Sequence, residues 1–116
     1  MARAATTADV FNAVAEPRRR QLLEVIAGRE VPVNDLVAQL GLAQPLVSKH
    51  LRVLRAVGAV SVRDEGRQRR YQLNGEALRP IQDWLTNIES VWAERLGRLE
   101  AAHRTFQTGQ NDSTSN

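Results

Sequence analysis

The chain contains no cysteine, so disulfides, thiolate metal sites and thiol-based sensing are excluded within it. Its two histidines, His50 and His103, lie far apart in sequence. A zinc site needs about four N, S or O ligands, usually with histidine or cysteine among them, so no metal is expected. Asp83, Glu89, Glu94 and Glu100 leave a carboxylate-only site across two subunits as the remaining arrangement. No apolar run approaches the roughly 20 residues needed to cross a bilayer, and the N-terminus lacks the charged, apolar, then small layout of a secretory signal. No membrane association is expected, and the expected compartment is the cytoplasm. Nucleophile elbows, phosphate loops and metal-bound acid pairs are all missing, so neither an enzyme nor a cofactor is expected. There is no internal repeat.

What is present begins with charge. The 116 residues fit one domain, with a modest core to which a dimer would add. The net charge is only +3, but its distribution is uneven. Lys49, Arg52, Arg55, Arg63, Arg67, Arg69 and Arg70 fall within residues 49–70, opposed there only by Asp64 and Glu65. Solvated surfaces mix signs more evenly, so this block reads as an electrostatic footprint for a polyanion. Basic positions that merely solubilise a helix are the plain alternative.

Residues 36–73 argue against that alternative. Leu36, Val37 and Leu40 recur at helical spacing, and Gly41 stands where a first helix must stop. Leu42 plugs the corner, and a second helix is expected over residues 44–57, ended by Gly58. On a 100° wheel Val47, His50, Leu51, Leu54 and Val57 share one face, with Pro45, Ser48, Lys49, Arg52 and Ala56 opposite. Pro45 is tolerated in the first turn, where its missing N–H has no partner to lose. One face docks on a core, and the other is short, polar and basic enough for a major groove. Val60 and Val62 then alternate with Ser61 and Arg63, and Tyr71 and Leu73 with Arg70 and Gln72, the period of half-buried strands. Gly66 is the expected turn residue. Helix, turn, helix and basic hairpin are the layout of a winged helix-turn-helix DNA reader.

The flanks complete the expected fold, which is mainly α with a small β-hairpin wing. Residues 1–7 read as a flexible start. A short helix over residues 8–15 carries Val10, Phe11 and Val14 on one side. Glu16-Pro17 opens another helix, with Leu22, Leu23, Val25 and Ile26, ending at Gly28. Arg18, Arg19 and Arg20 sit in its first turn, where the helix dipole disfavours cations. They read chiefly as hydrated or paired, with a flanking phosphate contact as the sharper reading. Residues 30–33 read as a short edge strand because of Pro32, with Asn34 and Asp35 opening the next helix. Asn74 is read as the cap of a short turn before a last helix over residues 79–104, about 37 Å long at 1.5 Å per residue. Residues 107–116 are small and polar, the composition of a disordered tail. The last helix carries Ile81, Trp84, Leu85, Ile88, Val91, Trp92, Leu96 and Leu99, a wider apolar stripe than a small domain can cover. A second subunit would cover it, with Val10, Phe11 and Val14 joining the seam. Two recognition helices about 34 Å apart would then meet successive major grooves of an inverted repeat.

The segments VFNAVAEPRRRQLLEVI, VNDLVAQLGLAQPLVSKHLRVLRAVGAV and RRYQL, followed by a long helix with Trp84 and Trp92, resemble ArsR-type winged-helix transcriptional repressors. The resemblance spans residues 10–99. It implies a homodimer that binds double-stranded operator DNA and represses transcription. One expected target is the protein's own gene. Many members of that family hold metal through cysteines on the first helix of the reading pair, or through His and carboxylates on the last helix. Here there is no cysteine, and the last helix offers Asp83, Glu89, Glu94, Glu100 and one histidine, His103, so no two histidines come together.

Within the DNA-reading pair, Gln44 can pair bidentately with adenine, Ser48 suits several bases, and Lys49 suits guanine or phosphate. Pro45 offers an apolar contact to a thymine methyl. The resemblance places base contacts at this same helix start. Ala43 departs from the family's usual Ser or Thr cap, forgoing about 0.5–2 kcal/mol. Arg52 is further along and faces phosphate. Arg67, Gln68, Arg69 and Arg70 form a wing tip suited to the backbone or minor groove. His50 lies on the core-facing flank and reads as a packed histidine rather than a DNA contact, and His103 as a solvated one. Trp84 and Trp92 read as interface packing. A pocket between subunits for an unidentified small-molecule effector is the alternative, and a winged helix used for protein association is another.

Overall fold

The computed structural model describes the backbone of residues 9–115 and the side chains of residues 9–105. The expected flexible start, residues 1–7, lies outside the described residues. Two compact units divide the chain, Met1–Ile81 and Gln82–Asn116.

Caps and breakers set the elements of the first unit. Asp9 accepts a hydrogen bond from the Phe11 amide and opens α1, Val10–Val14. Glu16 does the same for α2, Pro17–Gly28, accepting from the amides of Arg18 and Arg19. These bonds satisfy helix-start donors that have no intrahelical partner. A two-residue strand β1, Val31–Pro32, leads into α3, Val33–Leu40. That helix begins just before the expected Asn34. Pro32 is its N-cap and supplies no side-chain bond, but Asp35 places an acid in the first turn, where the helix dipole favours it. Gly41 ends α3 at φ 65°, its amide donating to the Val37 carbonyl. A side chain at that angle would strain against the following carbonyl. The recognition helix α4, Gln44–Ala56, ends in a paired closure. The Gly58 amide donates to the Arg55 carbonyl and the Ala59 amide to the Leu54 carbonyl, both at 2.9 Å, and the apolar ends of that closure, Leu54 and Ala59, are fully buried.

The wing follows as β2, Val60–Glu65, and β3, Gln68–Leu73. Only the first of its two loop residues, Gly66, has positive φ, at 63°, the pattern of a II′ hairpin turn. The sheet order is β1-β3-β2, antiparallel throughout, with Val31 opposite Tyr71 and Val62 opposite Tyr71 from the other side. Pro32 therefore sits on an edge strand, where its missing donor costs no ladder bond. Asn74 stands at the N-cap of the 3-10 turn Gly75–Leu78 as expected, its carbonyl accepting from the Ala77 amide at 3.2 Å, but its side chain makes no cap bond. Its amide side chain instead reaches back across the hairpin base and donates to the Gly58 carbonyl at 2.9 Å.

The last helix, α5, spans Arg79–Ser115 and is longer than the helix expected over residues 79–104. Near the expected end, Thr105 Oγ1 donates to the Ala101 carbonyl one turn back. The expected disordered tail falls on residues whose side chains lie outside the described set. The fold is mainly α with an antiparallel wing, the class expected.

Leu22, Leu23, Ile26, Val31, Leu36, Val47, Leu51, Leu54, Val60 and Tyr71 form one core. His50 is the buried polar side chain among them, and neither ring nitrogen has a hydrogen-bond partner among the described residues. Glu16 Oε2 lies 3.8 Å from Nε2, within ion-pair range but too long for a hydrogen bond. Burial lowers the imidazole pKa below its ordinary 6.5; Glu16 opposes the shift, and Arg19, Arg18 and Lys49 add to it. The unfolded chain therefore binds this proton more readily than the folded one.

Replacing Leu54 with Ala should destabilise the protein by about 2–5 kcal/mol, read from urea unfolding. His50 contributes stability that is complete above pH 6.5 and is lost as pH falls through its lowered folded value. Melting temperatures taken between about pH 7 and pH 5 should fall less steeply for His50→Leu than for the native chain; equal slopes would remove His50 from the acid response.

Candidate nucleic-acid interface

Helix α4 owes its position to its buried side. Val47, Leu51 and Leu54 are buried in the core, which turns Gln44, Pro45, Lys49 and Arg52 outward as exposed residues. Ser48 is half-buried at the edge between the faces. No side chain caps the helix start at Ala43.

The loop of Gly66 and Arg67 sets the wing's register, and the register sets its charges. Arg63 faces Arg70, Asp64 faces Arg69, and Glu65 faces Gln68. Like charges directly opposite destabilise a sheet, and here carboxylates intervene. Glu65 Oε2 lies 3.3 Å from Arg63 and 3.0 Å from Arg70. Asp64 lies 3.3 Å from Arg69. Glu30, from the turn before β1, accepts a forked pair from Arg63 at 3.0 and 3.3 Å. That bonding, with the charges of Glu30 and Glu65, raises the Arg63 pKa above its ordinary value. Arg67 is the hairpin arginine that forms no ion pair among the described residues.

Gln44 and Ser48 of α4 line one cleft of about 330 Å³ with Arg67, Gln68 and Arg69 of the wing. Pro32, Val33, Asn34 and Tyr71 form the rest of its wall. Pro45, Lys49 and Arg52 lie outside it on the exposed side of α4, and Arg70 is half-buried beside Glu65. Such an arrangement can hydrogen-bond base edges from the helix while placing guanidinium groups against a phosphate backbone.

Asn34 and the carboxylates were not among the sequence candidates. Asp64 and Glu65 were legible in principle, because a two-residue hairpin loop dictates which residues face each other. The pairing of Glu30 with Arg63 had no local signal. Two of the triplet Arg18–Arg20, Arg19 and Arg20, are better explained by α1 than by phosphate. Arg19 donates to the carbonyls of Ala13 and Asn12 at 2.6 and 3.2 Å, and Arg20 to those of Val14 and Ala15 at 2.7 and 3.2 Å. The two side chains thus satisfy carbonyls left over at a helix end.

Of the candidate dimer residues, Val10 is already buried within its own chain, Val14 packs half-buried against the core, and Phe11 is exposed. Ile81 is half-buried. In the second unit Trp84, Leu85, Ile88, Val91, Trp92, Leu96 and Leu99 are all exposed, from 38% to 59%. Arg95 lies 5.7 Å over the Trp92 ring, a cation–π arrangement. Among the described residues no group of three His, Cys, Asp or Glu could hold a metal, and no helix is long and apolar enough to cross a membrane.

Residues 16–62 match the model of the family described as bacterial regulatory protein, arsR family. The transcriptional repressor SdpR of Bacillus subtilis is 28% identical over 80 residues, 69% of this chain and 89% of that protein. The HTH-type transcriptional regulator Rv2034 of Mycobacterium tuberculosis is 31% identical over 86 residues, 74% of this chain and 78% of that protein. Among solved structures, an ArsR-like transcriptional regulator from Rhodococcus superposes with a TM-score of 0.67 at 26% identity, covering 83% of this chain and 88% of that one. These matches cover the helix-turn-helix and most of the surrounding fold, and the chain belongs to the arsR family of bacterial regulatory proteins, the winged helix-turn-helix regulators of transcription.

Proposed function

We propose that this protein is a homodimeric, cytoplasmic repressor that binds double-stranded DNA at an inverted-repeat operator, including one at its own gene. The observation that carries the reading is the cleft shared by Gln44 and Ser48 with Arg67, Gln68 and Arg69. Gln44, Pro45, Ser48 and Lys49 read base edges in the major groove. Arg52, Arg67, Gln68, Arg69 and Arg70 meet the sugar-phosphate backbone. Repression follows the role that the Bacillus subtilis relative carries in its name.

Dimerisation is supported by the exposed apolar set on α5. Leu85, Ile88, Val91, Leu96 and Leu99 are large apolar side chains exposed on one helix, of a kind that proteins commonly keep in contact with a partner. A second copy is the natural occupant, because an inverted repeat requires a two-fold reader and a two-fold contact is made by one patch meeting itself. Of the interface candidates in the first unit, Val10, Phe11 and Val14, Phe11 is the exposed one.

Fluorescence anisotropy with labelled upstream DNA, against scrambled DNA of equal length, tests the reading. Replacing Gln44 or Ser48 with Ala should cost about 1–3 kcal/mol of discrimination between the two. Replacing Arg67 with Ala should weaken binding to both and flatten the salt slope by about 0.9; unchanged affinity at every salt concentration would remove the wing from the interface. In sedimentation analysis the native chain should run as a dimer. The Leu85→Glu, Ile88→Glu double variant should run as a monomer and lose operator binding, and a dimeric variant would place the seam elsewhere.

A further inference from the structure

The proposed DNA contact leaves one feature of the wing unexplained, namely that most of its guanidinium groups already hold an anion. Asp64 sits 3.3 Å from Arg69, and Glu65 bridges Arg63 and Arg70 at 3.3 and 3.0 Å. A carboxylate and a phosphate present the same pair of acceptor oxygens to a guanidinium fork. Starting from the DNA-binding reading above, we propose that Asp64 and Glu65 are internal phosphate mimics that hold the wing arginines in the DNA-free protein. They leave Arg67 as the unconditional contact and lower the affinity for DNA that is not the operator.

The covalent frame makes these pairs hard to avoid. The hairpin register places Asp64 directly opposite Arg69, and Glu65 lies two positions along the strand from the cross-strand pair Arg63–Arg70, on the same face. The register keeps both acids beside these arginines, because a slip of the strands would carry Val62 and Tyr71 out of the core face; rotation of the exposed side chains is what parts them. Arg63 is doubly held, because Glu30 keeps its own forked bond whatever Glu65 does.

The consequence falls unequally on different DNA. Non-specific binding is almost wholly electrostatic, arising from counterions released when arginines and lysines neutralise phosphates. A guanidinium that must first release a carboxylate neutralises little on balance, and the displaced carboxylate then lies beside phosphates that repel it. A specific site recovers the loss through base contacts from α4, which random DNA does not provide. The acids therefore weaken most visibly the binding that has no base contacts beside it, although they touch no base themselves.

The test uses the full chain and a labelled random-sequence duplex, titrated between about 50 and 200 mM salt. The variants are Asp64→Asn and the double change Asp64→Asn, Glu65→Gln. A control, Glu24→Gln with Glu76→Gln, removes the same number of acids at exposed positions outside the wing. The double wing variant is expected to bind random DNA several-fold tighter than the control, with a salt slope steeper by about 0.9 for each arginine that gains a phosphate. Asp64→Asn alone should move part of the way. Both wing acids are exposed, at 74% and 53% of their side chains, and melting temperatures check that folding is kept. Should Glu65→Gln unfold the hairpin, Asp64→Asn carries the test against Glu24→Gln. Wing variants that bind like the control, with an unchanged slope, would overturn the inference while the native protein's salt-dependent binding upheld the DNA reading. Failure of native and variant chains alike to bind any duplex would overturn both.

Discussion

The double character of α4 is the constraint on which the rest depends. Its inner side must be buried deeply enough to hold the helix still, and its outer side must stay short and polar. Val47, Leu51 and Leu54 supply the first requirement with almost no exposed surface. A rigid anchor matters because hydrogen bonds to base edges tolerate little displacement. The surrounding elements serve this anchor. Helix α2 and the buried Val31 and Tyr71 complete the core under it, and the closure at Gly58 stops it where the wing must begin.

Around that anchor, arginine does two kinds of work. Arg19 and Arg20 satisfy carbonyls at the end of α1, so they contribute to the fold rather than to a surface field. Arg63, Arg69 and Arg70 are matched to acids within the hairpin or beside it. A count of basic residues therefore overstates the positive potential available to DNA. Exposed ion pairs stabilise proteins little, commonly by about 0–1 kcal/mol. Their effect here is on electrostatics, since a guanidinium that faces a carboxylate is no longer a free counter-charge for phosphate.

Much of the helix-turn-helix and wing was legible from local pattern. The wheel separated Val47, Leu51 and Leu54 from Pro45, Lys49 and Arg52, and burial divides these residues in the same way. Two-residue alternation marked the hairpin strands, and the expected fold class is the observed one. Less legible were features that depend on what a side chain meets. Asn74 read as a helix cap because Asn favours that role, yet its side chain finds the Gly58 carbonyl across the hairpin base. His50 was legible as core-facing, but its nearness to Glu16 comes from a residue 34 positions away in the chain.

By itself, the sequence determined the order of helices and strands, the breaks at Gly41, Gly58 and Gly66, and the two faces of α4. These follow from backbone preferences and hydrophobic spacing, which act over a few residues. Tertiary structure alone decided which charges are available. Arg63 is held by Glu30, 33 residues away, Arg19 and Arg20 are turned onto α1, and Arg67 stands without an ion pair among the described residues. It also brought Gln44 and Ser48 to the same cleft as Arg67, Gln68 and Arg69. The reason is physical: a charge acts through the distance to its nearest partner, and that distance exists only once the chain has folded.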